Sequence, residues 1–312
     1  MYNFRYRPIA VKKIIITGGT GFIGLSLAQH LAELGFHPIL IARKQPKTKI
    51  AFDFVPWDAV HLGEWMHELN GAFAIVNLAG RSVDCIKSPE NCDVILRSRV
   101  DSTRIIGKAL NTIDDPPNVW VQMSTAHIYG DPPSQICNES SSTGYGLAPF
   151  VGKAWEAAFL ESLPTGIRGV RLRTSFVIGK NGGAMLSLKR IAKLGFGGKA
   201  GTGKQGISWI HEYDMNEIIH QAIINSDYND FYISSAPNPV SNKEFMYKLR
   251  RKLKIPIGIP APAFITRLGA KLVFKTDPEL VLYGRYVQSE RLEKKGFKFK
   301  YPDLNAAFDE LL

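Results

Sequence analysis

Three glycines spaced Gly18-x-x-Gly21-x-x-Gly24, set between a strand and a helix, constrain this 312-residue chain more than any other feature. Lys13–Thr17 (KIIIT) reads as a buried strand that runs straight into the glycines. Phe22–Leu34 then places Ile23, Leu27, Leu31 and Leu34 at helical spacing, and Gly35 ends the helix. Each glycine has a physical task at such a junction. Gly18 permits the tight turn, Gly21 lets a pyrophosphate approach the backbone, and Gly24 lets the helix pack closely on the strand. The helix N-terminus adds free N–H groups and the positive end of its dipole. Gly18, Thr20, Gly21, Phe22, Ile23 and Gly24 are therefore the candidate cradle for a dinucleotide.

The rest of the N-terminal half keeps the strand–helix alternation of a parallel sheet. Strands are expected at Pro38–Ala42, Ile50–Val55, Ala72–Leu78, Asn118–Met123 and Gly169–Leu172, with long helices over Cys92–Leu110 and Pro149–Leu163. After Gly179 the rhythm breaks. Asn181 to Gly206 holds eight glycines around a short basic helix at Leu186–Leu194. A strand at Ile207–Ile210, a helix at Asp214–Ile224 and a strand at Phe231–Ser234 then read as a return to the sheet. From Pro237 onward come helices split by a linker in which Pro256, Pro260 and Pro262 forbid continuous helix. The expected fold class is α/β, a Rossmann-type doubly wound parallel sheet with a smaller C-terminal substrate-side domain. The first comprises residues 1–180 plus 206–235, the second 181–205 plus 236–312.

Composition excludes several classes. With 45% hydrophobic and 21% charged residues the chain can bury a sizeable core. No stretch approaches the roughly 18–20 unbroken apolar residues of a membrane helix. The basic start, residues 1–13, lacks an apolar signal core and cleavage site, so a cytoplasmic protein without a membrane partner is expected. Cys85, Cys92 and Cys137 form no CxxC pair and read as reduced thiols, and no metal site is expected. The net charge of +11 divides as +3 over residues 1–179 and +8 over 180–312. Its densest run, Lys248–Lys254, fits a helix that buries Phe245, Leu249 and Leu253 and turns its cations to water. No nucleic-acid reader accompanies it. The expected partner is a small, anionic metabolite, bound by a monomer or homodimer.

The end of the second strand decides which dinucleotide is bound. An acidic residue about 20 positions after the glycines would hold the ribose hydroxyls of NAD. Here Ile41-Ala42 leads into Arg43-Lys44, two cations that suit a 2′-phosphate. NADP(H) is the expected cofactor and NAD the less favoured one.

These residues resemble the extended short-chain dehydrogenase/reductases, whose loop is TGxxGxxG. The resemblance continues through Asn77-Leu78-Ala79-Gly80, Ser98-Arg99, Thr103-Arg104 and Ser124-Thr125-Ala126-His127-Ile128-Tyr129-Gly130. It extends through Trp155-Glu156, Leu172-Arg173-Thr174, Ser208-Trp209-Ile210-His211 and the closing Gly296-Phe297-x-Phe299-x-Tyr301-Pro302. The combination looks like the YfcH-like epimerase-family subgroup, which carries a short C-terminal domain of unknown function. The resemblance implies that Leu78, Ala79 and Gly80 flank the adenine-side ribose. Arg99 departs from the asparagine common there, and faces either an anion or the helix surface.

In this superfamily hydride transfer uses a Ser or Thr, a Tyr, and a Lys four residues after it. The resemblance puts Thr125 at the hydroxyl position and Lys153 at the lysine, while Ser124, just before Thr125, is carried with Arg99 among the cofactor-binding candidates. Four residues before Lys153 stands Pro149, followed by Phe150; the tyrosine is missing. Three accounts stay open. Tyr145 swings in from the preceding loop, another group such as Tyr129, His127 or a substrate-side residue handles the proton, or the chain binds NADP as a sensor or scaffold without turnover. Tyr129 is carried as the third catalytic candidate beside Thr125 and Lys153. His211 and Asp214, three apart, suggest either an acid/base pair or, the favoured reading, a helix cap by Asp214 with His211 hydrogen-bonding near the cleft. The glycines and lysines of Gly195–Gly206 read as either a lid over an anionic substrate or a structural loop.

Overall fold

The computed structural model describes residues 11–46, 49–132 and 135–312. The basic start therefore lies, up to residue 10, outside the described residues. Seven strands form one parallel sheet: β1 (Lys13–Thr17), β2 (His37–Ala42), β3 (Asp53–Pro56), β4 (Ala74–Asn77), β5 (Val119–Thr125), β6 (Arg168–Thr174) and β7 (Asp230–Ser234). Their spatial order is β7-β6-β5-β4-β1-β2-β3, and every pairing is parallel. Chain progression reverses between β1 and β4, so the crevice beyond their C-terminal ends is the topological switch point where α/β sheets take ligands.

The pleat sorts β1 between two layers. Ile14 and Ile16 face one side, where α1 (Phe22–Glu33) supplies Leu27 and Leu31 and a helix over Glu212–Ile224 supplies Met215, Ile218 and Ile219. Ile15 faces the other, against Ile105 and Ile106 of α2 (Pro89–Leu110) and Phe159 of α3 (Leu147–Ser162). The inner strands β1, β2 and β4 are buried on both faces, which is why they read as apolar runs, whereas the edge strand β3 has no buried residue. With the Glu212–Ile224 helix as α4, the layers are α1 and α4 on one side, α2 and α3 on the other.

One strand expectation is corrected. Ile207–Ile210 does not rejoin the sheet but splits at Ser208. Gly206–Ile207 pairs antiparallel with Val240–Ser241, and Trp209–His211 pairs parallel with Phe176–Ile178. Ser208 makes the break because its hydroxyl turns to the C-terminal segment, donating to Arg285 O at 2.9 Å and accepting from Val287 N at 2.8 Å. Phe231–Ser234, by contrast, lies within β7.

A third apolar cluster joins Met185, Ala192 and Trp209 to Phe245, Met246 and Leu249 of α5 (Asn242–Lys252) and to Leu304, Phe308 and Leu311 near the C-terminus. The basic run thus buries Phe245 and Leu249 as its spacing requires. The prolines lead into α6 (Ala263–Gly269), which continues as one wider turn to Phe274. Within the glycine-rich segment, Gly201 N donates to Ala261 O and Ala261 N to Lys199 O. Asn242 Oδ1 accepts from Ala200 N at 2.9 Å. A Cβ on Gly198 would stand 2.4 Å from Ile259 O. This segment is a ladder whose glycines permit close backbone approach, so the structural alternative describes it better than a free lid.

Candidate functional site

The cradle forms as the glycine spacing demands. Gly18 has φ +70°, and a Cβ there would lie 2.8 Å from the Leu78 carbonyl and Ala79 N. A Cβ on Gly24 would lie 2.5–2.7 Å from the Gly19 backbone. Gly21 is different: it is exposed, and the only neighbour its Cβ would meet is Gly18 O at 3.4 Å. Gly21 also begins α1 with no side chain capping the helix, so the first turn turns unmet N–H groups outward. Thr20 is half-buried beside it, while Ile23 packs into the core. The Phe22 ring lies under the Gly179–Gly183 loop; a Cβ on Gly182 would sit 2.4 Å from it.

Around this open loop stand three cations. Arg43 and Lys44 directly follow β2, are exposed, and make no ion pair among the described residues. Arg99 is half-buried, its guanidinium 3.2 Å from where a Cβ on Gly80 would be and 5.1 Å from the Trp155 ring. It donates to Ile95 O at 3.0 Å but meets no carboxylate among the described residues, and burial lowers its pKa to about 10. The turn Leu78-Ala79-Gly80 is pinned from below by Asn77. That buried amide accepts from Thr17 at 2.7 Å and from Ala79 N at 3.0 Å, and donates to Gln122 at 3.0 Å.

The ends of β5 and β6 are built otherwise. Glu156 of α3, 6% exposed, receives both Arg173 Nε at 2.8 Å and Arg173 Nη2 at 2.9 Å. It also accepts from Arg171 at 3.3 Å and from the Ser124 hydroxyl at 2.6 Å. Burial pushes the carboxyl up, yet Arg173, with Ser124 and Arg171, holds it below its ordinary range. Arg173 Nη1 donates to the Tyr129 hydroxyl at 2.9 Å. Tyr129 is 3% exposed, and burial outweighs the nearby arginine to push its phenol up to about 12. Ser124 and Tyr129 are thus both tied into a buried charged network.

Of the remaining candidates, Thr125 is half-buried and accepts from His127 N at 3.1 Å. Its methyl lies 3.2 Å from where a Cβ on Gly152 would be, so α3 presses on the end of β5 next to Lys153. Lys153 is exposed, Pro149 is buried in the first turn of α3, and Phe150 faces solvent. Tyr145 is 95% exposed. His127 is half-buried, and burial together with the charge of Arg285 drives its imidazole down to about 3, so it is neutral at physiological pH.

Arg285 escaped the sequence reading. It reaches from the C-terminal segment to donate to Gly130 O at 2.7 Å, and burial lowers its pKa to about 10. The Glu156–Arg173 pair was visible only as part of a motif. Its signal was Arg171 and Arg173 two apart on an interior strand, which must point the same way and need a shared counter-charge. The His211–Asp214 expectation is reversed. His211 caps α4, accepting from Tyr213 N at 3.1 Å and pairing with Glu310 at 3.0 Å. Asp214, inside the helix, accepts from Lys300 N and Tyr301 N and so clamps the C-terminal segment. Burial raises its pKa despite those bonds. The three thiols are free. One group among the described residues has metal-ligand spacing: His30, Glu217 and His220, with ligand atoms within 4.8 Å, between α1 and α4. No helix among them is long and apolar enough to cross a membrane.

Comparison with known proteins places these features in context. Residues 14–233 match the NAD dependent epimerase/dehydratase family, and residues 261–311 match a domain of unknown function, DUF1731. An Arabidopsis thaliana relative, the chloroplastic homolog of epimerase family protein SDR39U1, is 30% identical over 296 residues, covering 92% of this chain and 83% of its own. The crystal structure of human SDR39U1 with NADPH superposes with a TM-score of 0.85 at 27% identity, covering 96% of this chain and 98% of that one. A nucleoside-diphosphate sugar epimerase from Corynebacterium glutamicum follows with a TM-score of 0.77 at 27% identity, covering 97% of this chain and 58% of that one.

Proposed function

Because the chain belongs to the NAD-dependent epimerase/dehydratase family, we propose that it is a cytoplasmic NADPH-dependent oxidoreductase or epimerase acting on a small anionic metabolite, a carbonyl compound or nucleotide sugar. The observation that carries the reading is the contrast within the loop. Gly18 and Gly24 are sterically required, while Gly21 and the uncapped helix start face open space beside cations that make no ion pair among the described residues. The human relative with NADPH in its structure supports the choice of cofactor.

The residues fit that group as follows. The N–H groups at the start of α1 would hold the pyrophosphate, Arg43 and Lys44 the 2′-phosphate, and Leu78 to Gly80 the adenine-side ribose. Arg99, with no carboxylate partner among the described residues, would meet an anion of the ligand. Bound NADPH would supply the hydride. The Thr125 hydroxyl donates to the substrate oxygen and polarises the carbon–oxygen bond, and Lys153 adds positive charge as the alkoxide forms. Tyr129 holds Arg173 and the end of β5 in place. Its proton is bound too tightly, and its hydroxyl is too deeply engaged, for ready exchange with substrate. The proton delivered to the alkoxide then comes from water or from the substrate side.

A second reading, an NADP-binding protein without turnover, draws on one observation: the position one turn before Lys153 is a buried proline. Calorimetric titration with NADP⁺ and NAD⁺ tests the shared premise. NADP⁺ should bind the more tightly, and Arg43→Ala/Lys44→Ala should weaken it by roughly 1–3 kcal/mol with NAD⁺ unaffected. Equal binding of both, unchanged in the double variant, overturns the NADP reading. NADPH oxidation across a panel of carbonyl compounds then separates enzyme from sensor.

A further inference from the structure

From Lys248 to Lys275 the chain carries eight basic residues and no acidic one. Near the end of this stretch α6 and its continuing turn expose a run of large apolar side chains: Phe264 is 71% exposed, Leu268 59%, Leu272 65% and Val273 72%. Helical spacing puts Phe264, Leu268 and Leu272 on one stripe, with Arg267 and Lys271 beside it and Lys275 directly past the end of the turn. All three cations are exposed, and only Arg267 has an acidic partner among the described residues, Glu279 at 3.4 Å. Ala270 alone of residues 263–274 is buried. An apolar stripe left in water at this density marks an interaction surface.

We infer that the α6 face binds peripherally to an anionic lipid surface, its apolar stripe entering the headgroup–acyl boundary and its cations pairing with lipid phosphates. The charge favours this occupant. A second copy docking through the same patch about a twofold axis would bring the two basic flanks together. A nucleic acid would satisfy the cations and leave the leucine and valine side chains in water. A bilayer satisfies both. The expectation of no membrane partner rested on the lack of a spanning segment; an interfacial helix needs none. Past α6, Thr276 hydrogen-bonds Asp84, and Asp277 lies 3.7 Å from Lys87. Both partners sit in the loop after the Leu78-Ala79-Gly80 turn, so the bound face adjoins the cofactor cleft.

Co-sedimentation of the full chain with vesicles tests the assignment. Phosphatidylcholine vesicles with about 30% phosphatidylglycerol should retain the protein roughly tenfold more than pure phosphatidylcholine, with retention falling as salt rises. Leu268→Ser/Leu272→Ser should lose that retention at low salt, and Lys271→Glu/Lys275→Glu should lose its dependence on anionic lipid. NADP⁺ affinity and thermal unfolding show that each variant is folded. Absence of anionic-vesicle binding, or binding equal in all variants, overturns the proposal. So does a concentration-dependent dimer that Leu268→Ser/Leu272→Ser dissolves, which would give the face to a second copy.

Discussion

The two halves of the crevice are made from different materials. At the ends of β1, β2 and β4 the backbone does the positioning: glycines set the approach of loop to strand, Asn77 pins the next turn, and the cations make no ion pair among the described residues. At the ends of β5 and β6 the side chains do it: Ser124, Tyr129, Glu156 and Arg173 close into one buried network. The first half is open to a ligand and the second is largely satisfied by itself. Damage to the two halves should therefore read out differently, in binding on one side and in folding on the other.

The sharpest break is Glu156→Ala. It leaves Arg173, and in part Arg171, buried without their shared counter-charge, which should cost about 3–5 kcal/mol in denaturant unfolding. The folded fraction should still bind NADP⁺, because Ser124 is the one cofactor-side candidate that touches the network. A loss under about 1 kcal/mol would mean that the arginines find other partners and that the network is not what holds β5 and β6.

Next come two glycines that share a loop but not a role. Gly24→Ala drives a methyl against the Gly19 backbone, where nothing flexible can yield, and should cost about 1–3 kcal/mol of stability. Gly21→Ala meets almost nothing and should leave stability within about 0.5 kcal/mol, yet weaken NADP⁺ by crowding the approach of its phosphates. If the two variants behave alike, the division of labour within the loop fails.

The same contrast explains what the sequence could tell. Backbone requirements are written locally: Gly18, Gly24 and the apolar runs of the sheet place the cradle without knowledge of the rest of the fold. Networks are not. Glu156, Arg171 and Arg173 each look ordinary until α3 lies against β6, and Arg285 enters from 155 residues beyond Gly130. Ser208 breaks its strand for the same reason, since its partners belong to the C-terminal segment. The helix cap was misassigned because His211 and Asp214 can both cap. Only the docking of Lys300 and Tyr301 decides which does.

A smaller effect should appear with pH. His127 is held near a pKa of about 3 in the folded chain and titrates near 6.5 when unfolded. Between those values the unfolded chain binds a proton that the folded chain refuses. The stability tied to the neutral imidazole is complete above about pH 6.5 and is lost as pH falls towards 3. By pH 5 the loss should be about 1–2 kcal/mol, and His127→Gln should flatten that part of the profile. The carboxyl of Glu156 acts only below its ordinary titration range, so the part of the profile between about pH 5 and 6.5 is free of it. An unchanged profile in His127→Gln would place the imidazole in water rather than beside Arg285.

Lys153 should give the smallest change in folding and the most informative change in function. It is exposed and hydrogen-bonds to no group among the described residues, so Lys153→Met should stay within about 0.5 kcal/mol of the parent in unfolding. If the open half of the crevice delivers a hydride to substrate at Thr125, removing this charge should lower turnover on an accepted carbonyl compound by about tenfold or more, with NADP⁺ affinity less affected. Thr125→Val should then lower turnover in the same way, since the two act on one developing alkoxide. Turnover indifferent to both substitutions would mean that the side-chain half of the crevice takes no part in chemistry. The chain would then be a dinucleotide-binding protein whose β5 and β6 ends only keep the cradle in shape.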